Sequence, residues 1–241
     1  MTYLAILAVV VVATLLYQAR GVIGVILCEA KVCAGDYDAA LRRLHWAGLG
    51  SPNVPLLHKE GLILALAGRP AEAELCYRKA LGLLESGSAY PRERLFAALG
   101  YALIDLARYG EAEQCFQRSL EGGDQSGYSQ DGLAELRLVQ GVEIDQALDF
   151  TSQAIAHAKH NPGAIYALQA WALALLGRAG EAREALAQAE LDPRTSANRY
   201  WRAGMALSAM QQTEEARKHF QMACDLDPRG KYGQRCRQHL G

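Results

Sequence analysis

The sequence predicts an all-α solenoid of about six helix–turn–helix units, preceded by one apolar helix long enough to span a membrane. Three observations predict it. Ala and Leu dominate a chain of 241 residues that is 51% hydrophobic, a mixture that favours helix over sheet. A short motif built on Glu-Ala or Gln-Ala returns at a nearly constant interval. The first 19 residues carry no charged side chain.

The N-terminal run comes first. Residues 3–17 read YLAILAVVVVATLLY. A helix across the bilayer core needs about 20 apolar residues, and Gln18, Ala19 and a snorkelling Arg20 supply the remainder. Tyr3 and Tyr17 stand where interfacial aromatics belong. Residues 1–20 are therefore expected to form a transmembrane anchor, touching the membrane through residues 3–20. A cleaved signal peptide fits less well, because Met1 and Thr2 give no basic start and no Ala-x-Ala stands near residue 20. Arg20, Lys31, Arg42 and Arg43 follow the anchor, so the positive-inside rule places the body in the cytoplasm. Six scattered cysteines without a Cys-x-x-Cys agree with a reducing compartment.

The repeat comes next. GRPAEAELCYRKAL (68–81), ARYGEAEQCFQRSL (107–120), EIDQALDFTSQAI (143–155), GRAGEAREALAQA (177–189) and QTEEARKHFQMA (212–223) share one pattern, and GDYDAALRRLHWA opens a sixth copy at Gly35. The aligned alanines are Ala40, Ala73, Ala112, Ala147, Ala182 and Ala216, spaced 33, 39, 35, 35 and 34 residues apart. A period of about 34 residues is that of a stacked helix pair. Two short helices cannot bury both apolar stripes alone, and stacking the next pair buries them.

Residue by residue the pattern resembles the tetratricopeptide repeat family over residues 21–228. The small residue of the first helix is Gly61, Gly100, Ala170 and Gly204. The aromatic of the second helix is Tyr77, Phe116 and Phe220, expected to fill the gap between units. Closing prolines are Pro162, Pro193 and Pro228. The fourth unit departs from the pattern, with Glu135 at the small position and Thr151 at the aromatic one, and the fifth has Leu186 there. Ser51-Pro52-Asn53 is expected to start a helix with Pro55 in its first turn, and breaks are expected at Ser86-Gly87-Ser88 and from Gly122 to Gly127. The first unit should begin in a helix continuous with the anchor. Residues 229–241, polar and basic, are expected to form a helix capping the last unit.

Little in the sequence points to catalysis. No phosphate-binding loop, nucleophile elbow or His-Glu-x-x-His is present, so the chain is read as a non-enzyme without cofactor or metal. His157 and His160 share a helical face but have no third ligand in sequence. Cys28 and Cys33 are expected to pack along the first helix. A net charge of −1 provides no field for nucleic acid.

The resemblance implies that the first helices line a concave groove. Its ninth positions are Leu62, Tyr101, Leu136, Trp171 and Met205, and its fifth positions are His58, Ala97, Gly132, Ala167 and Trp201. The groove is thus expected to bind through Leu62, Tyr101, Leu136, Trp171, Trp201 and Met205. These residues suit an apolar helix or extended segment better than a peptide carboxylate. The expected function is a membrane-tethered scaffold, adaptor or assembly factor whose partner is another protein, itself membrane-associated. The alternatives are a self-associating structural subunit, in which the chain is a homo-oligomer, and a metal- or redox-dependent regulatory protein.

Overall fold

The computed structural model describes residues 23–48, 53–84, 89–158 and 162–240, and every regular element among them is helical. Residues 1–20, where the anchor is expected, lie outside the described residues, as do Ser51-Pro52, Ser86-Gly87-Ser88 and His160. Among the described residues no helix is long and apolar enough to cross a membrane.

The units fall where the alanine spacing puts them. The first pairs α1 (23–33) with α2 (Tyr37–Ala47); the second is α3 (Val54–Leu66) and α4 (Pro70–Leu83). The third is α5 (Arg92–Asp105) and α6 (Tyr109–Glu121), and the fourth α7 (Tyr128–Gln140) and α8 (Ile144–His157). The fifth is α9 (Pro162–Leu175) and α10 (Ala179–Glu190), the sixth α11 (Ala197–Ala209) and α12 (Thr213–Leu226), and α13 (Lys231–Leu240) ends the chain.

Local chemistry sets several boundaries. Asn53 caps α3, its side chain accepting from the Leu56 amide at 2.9 Å, and Pro55 lies in the first turn, where its missing N–H costs nothing. In the break before α7, Asp124 accepts from the amides and hydroxyls of both Ser126 and Ser129. Asp192 and Asp227, from the two Leu-Asp-Pro triplets, are both buried. Asp192 accepts from the Gly163 amide at 3.1 Å, and Asp227 from the Tyr232 amide at 3.1 Å.

The six aligned alanines are buried, none more than 2% exposed. The small-residue positions explain why. A Cβ on Gly61 would stand 2.4 Å from the Tyr77 ring, one on Gly100 2.7 Å from Phe116, and one on Gly204 2.5 Å from Phe220. The aromatics therefore pack first against the glycine of their own unit, rather than only filling space between units. Phe116 does both, because a Cβ on Gly132 of the next unit would come within 2.3 Å of it. The buried apolar side chains form two main clusters that meet at Phe150.

Two features differ from the sequence expectation. Cys28 is buried but Cys33 is exposed, so only one of the pair packs inward. And α13 reaches well beyond the last unit. After Asp227 the chain turns back, and α13 packs on α12, on α11 and on α3. The Tyr37 hydroxyl of the first unit donates to Asp227 at 2.7 Å, across 190 residues of sequence.

Candidate partner-binding face

The first helices α3, α5, α7, α9 and α11 contribute one face, and α13 lies against it. An ion cluster joins them. Arg202, on α11, is 1% exposed and donates to both oxygens of Asp131 at 2.8 and 2.7 Å and to Glu135 at 2.5 Å. Asp131 and Glu135 are one turn apart on α7, so they present to the same side. The guanidinium also donates to the Ala164 carbonyl at 3.1 Å. It thereby spans from α11 to α7 past α9, where Ala164 is small and buried.

From α13, Lys231 donates to Asp105 at 2.8 Å, and Arg235 to Asp105 at 2.5 Å and Glu135 at 3.3 Å. Burial pushes the Glu135 carboxyl up, but Arg202 first and then Arg235 and Lys231 outweigh it and hold it at about 2. Burial pushes the Tyr101 hydroxyl well above its usual value, with Asp131 acting in the same direction; the hydroxyl donates to Asp131 at 2.6 Å.

An aromatic chain runs beside the ions. Trp171 meets Trp201 edge-to-face at 5.7 Å, and Trp201 meets Tyr232 at 5.9 Å. The Arg235 guanidinium lies over Trp201 at 4.4 Å, within cation–π range.

The six residues expected to form the groove separate into two sets. Leu136, Trp171 and Trp201 are 0%, 4% and 5% exposed, and the last is covered by α13. Leu62 is exposed, while Tyr101 and Met205 are half-buried. Leu62 and Tyr101 line a cavity of about 310 Å³ together with Leu66, Tyr128, Ile165 and Tyr232. Its open wall is apolar: Leu62, Leu66 and Tyr128 are 43%, 36% and 57% exposed. Three buried polar atoms on its lining, the Tyr77 hydroxyl, Asn198 Oδ1 and Arg202 Nε, have no hydrogen-bond partner among the described residues.

Sequence reasoning did not find Asp105, Asp131, Arg202, Lys231 or Arg235. Its two available signals were Glu135, a charge at a position that packing reserves for a small residue, and the i, i+4 cations of the last helix. Among the described residues no three His, Cys, Asp or Glu side chains gather as a metal set, and all six cysteines are free thiols.

Residues 93–121 and 197–229 match the tetratricopeptide repeat model. Units three and six are thus similar to tetratricopeptide repeats. The two matches begin at α5 and α11 and cover the helix pairs α5–α6 and α11–α12. In solved structures the array is similar to the APC/C hetero-tetramer Cut9–Hcn1, at 16% identity and a TM-score of 0.66. That match covers 92% of this chain and 43% of the other, so this chain spans less than half of it. It is similar to a tetratricopeptide repeat protein from Parabacteroides merdae, at 19% identity and a TM-score of 0.63, over 91% and 82% of the two chains. A tetratricopeptide repeat protein from Thermus thermophilus, TTC0263, matches at 18% identity and a TM-score of 0.60, over 78% and 98%. At these identities the likeness is one of fold. No curated protein matches the sequence.

Proposed function

We propose that this protein is an interaction scaffold that takes an apolar segment of another protein into the cavity on the inner face of its array, and that residues 3–20 tether it to a membrane. The observation that carries the binding reading is the cavity. Its wall exposes Leu62, Leu66 and Tyr128 together, an apolar patch of the kind that marks an interaction site. Unpartnered polar atoms at Tyr77 and Asn198 offer hydrogen bonds to a backbone or side chain entering there. The fold supports the same reading, since stacked repeats generate extended concave binding surfaces. The apolar run YLAILAVVVVATLLY supports the tether, which confines the cavity near membrane-bound partners and raises their effective concentration. The cations that follow the run favour a cytoplasmic array.

Affinity capture from detergent-solubilised cells tests the binding face. Leu62→Asp and Tyr128→Ala together should abolish recovery of the partner while leaving the circular dichroism unchanged. Undiminished recovery would remove the cavity from the function. Carbonate extraction of the full chain tests the tether, and release into the soluble fraction would remove it.

A further inference from the structure

The inner face is charge-balanced only when α13 lies on it. Within the ion cluster the repeats contribute three carboxylates, Asp105, Asp131 and Glu135, against one guanidinium, Arg202. Two negative charges are left over, and Asp105 and Glu135 are 10% and 1% exposed at the side chain. Uncompensated carboxylates at such sites are strongly unfavourable. Lys231 and Arg235 supply the two missing cations, one helical turn apart on the same face of α13.

In other respects α13 is a poor core helix. Among its ten residues, KYGQRCRQHL, only Gly233 and Cys236 are buried. Its grip on the first helices consists of two cations, the Tyr232 ring and the stack of Arg235 on Trp201. Toward α12 it packs as a repeat helix does, through Cys236 and the stack of His239 on Phe220, whereas toward the first helices its contacts are those of a bound peptide in a groove. It also leaves the apolar wall of the cavity, Leu62, Leu66 and Tyr128, exposed. The cavity lined by Leu62, Tyr101 and Ile165 is also lined by Lys231 and Tyr232 of α13 and by Tyr77, whose hydroxyl is buried and has no hydrogen-bond partner among the described residues.

We infer that α13 is a built-in ligand of the inner face, and that the partner segment which displaces it is a basic amphipathic helix: two cations one turn apart for Asp105 and Glu135, with apolar side chains for the cavity. This rests on the reading of the inner face as the binding surface and specifies the chemistry of what binds there. The partner wins because it fills both halves, whereas α13 fills only the charged half. Being tethered through Asp227–Gly230, α13 acts at a high effective concentration, so the face is closed to weak or purely apolar ligands. A ligand's apparent affinity falls by the fraction of time the face is open.

The test uses the full chain and a fluorescent peptide spanning residues 229–240 that carries Cys236→Ser. In the full chain with Lys231→Gln and Arg235→Gln, the in-cis helix loses its cations while the receiving carboxylates remain. This variant should bind the peptide at least tenfold more tightly than the unaltered chain does. The same peptide with both cations changed to Gln should bind at least tenfold more weakly. A folded variant that ignores the peptide, equal binding by both chains, or indifference to the peptide's cations would each overturn the inference. Should the variant not fold, the unaltered chain decides by hydrogen exchange. Amides of residues 231–240 should exchange at least tenfold faster than those of α11, and equal protection would overturn the idea of a displaceable helix. Loss of partner capture in the Leu62 and Tyr128 variant addresses the cavity alone, so the two readings fail separately.

Discussion

Arg235, on the last helix, donates to Glu135, on the first helix of the fourth unit, at 3.3 Å across 100 residues of sequence. Glu135 also receives Arg202. One carboxylate thus joins the fourth unit, the sixth unit and the C-terminal helix, and it stands where the repeat pattern calls for a small residue.

Arg202→Met should destabilise the protein by about 3–5 kcal/mol, because it leaves Asp131 and Glu135 facing each other with too few cations in a buried site. Arg202→Lys should recover only part of the loss, since an ammonium cannot make the paired bonds to Asp131. Urea unfolding followed by circular dichroism measures both. A midpoint unchanged by Arg202→Met would show that the cluster is not a structural element.

Acid should weaken the fold through the same carboxylate. The Glu135 carboxyl is held down to about 2, below the ordinary glutamate value of about 4.5. Its contribution is therefore fully present above about 4.5 and is lost as pH falls through 2, where the folded state must also take up the proton. Glu135→Gln should be less stable than the unaltered chain at pH 7, and the gap should narrow steadily between pH 4.5 and 2. A gap constant over that range would contradict the assignment.

Gly100→Val should cost about 1–3 kcal/mol or more by overpacking, since even a Cβ there lies 2.7 Å from the Phe116 ring. Trimming the ring by Phe116→Leu should cost less in the Gly100→Val background than alone, because the two side chains share one space. Additive losses in thermal unfolding would show that the contact does not limit the site.

Ala107 and Gln211 hold left-handed conformations, with φ of 56° and 61°. The equivalent turns of the second and fifth units use Gly68 and Gly177 at φ 74° and 75°. An L-residue pays about 1 kcal/mol for that conformation. Ala107→Gly and Gln211→Gly should each raise stability by up to about that amount, less the entropy that glycine returns to the unfolded chain. A lowered melting temperature in both would reverse the argument.

Much of the fold could be read from local signals. The alanine spacing marked every unit, Asn53 and Pro55 marked the start of α3, and Gly61, Gly100 and Gly204 marked the tight crossings. All of these act over one or two neighbouring helices, so their constraint repeats with the period and shows in the chain. The candidate site was less readable. Leu62 and Tyr101 do line the cavity, but Trp201 lies under Arg235 and Tyr232, and Trp171 is buried against Trp201. Position within a unit gives the face a residue points to, and it does not give what later chain will cover that face.

The sequence by itself determined the helical period, the number of units and the identity of their contact residues, because each unit is stabilised mainly by its neighbours and so must carry its own instructions. Only the tertiary structure decided where α13 goes. Lys231 and Arg235 meet Asp105 and Glu135 from 100 to 130 residues away, and such pairs form once the stacked units have brought those carboxylates to one face. Charge has no periodicity that announces its partner. Those ion pairs, with the packing of α13 on α12, α11 and α3, are what set the last helix against the face formed by the first helices.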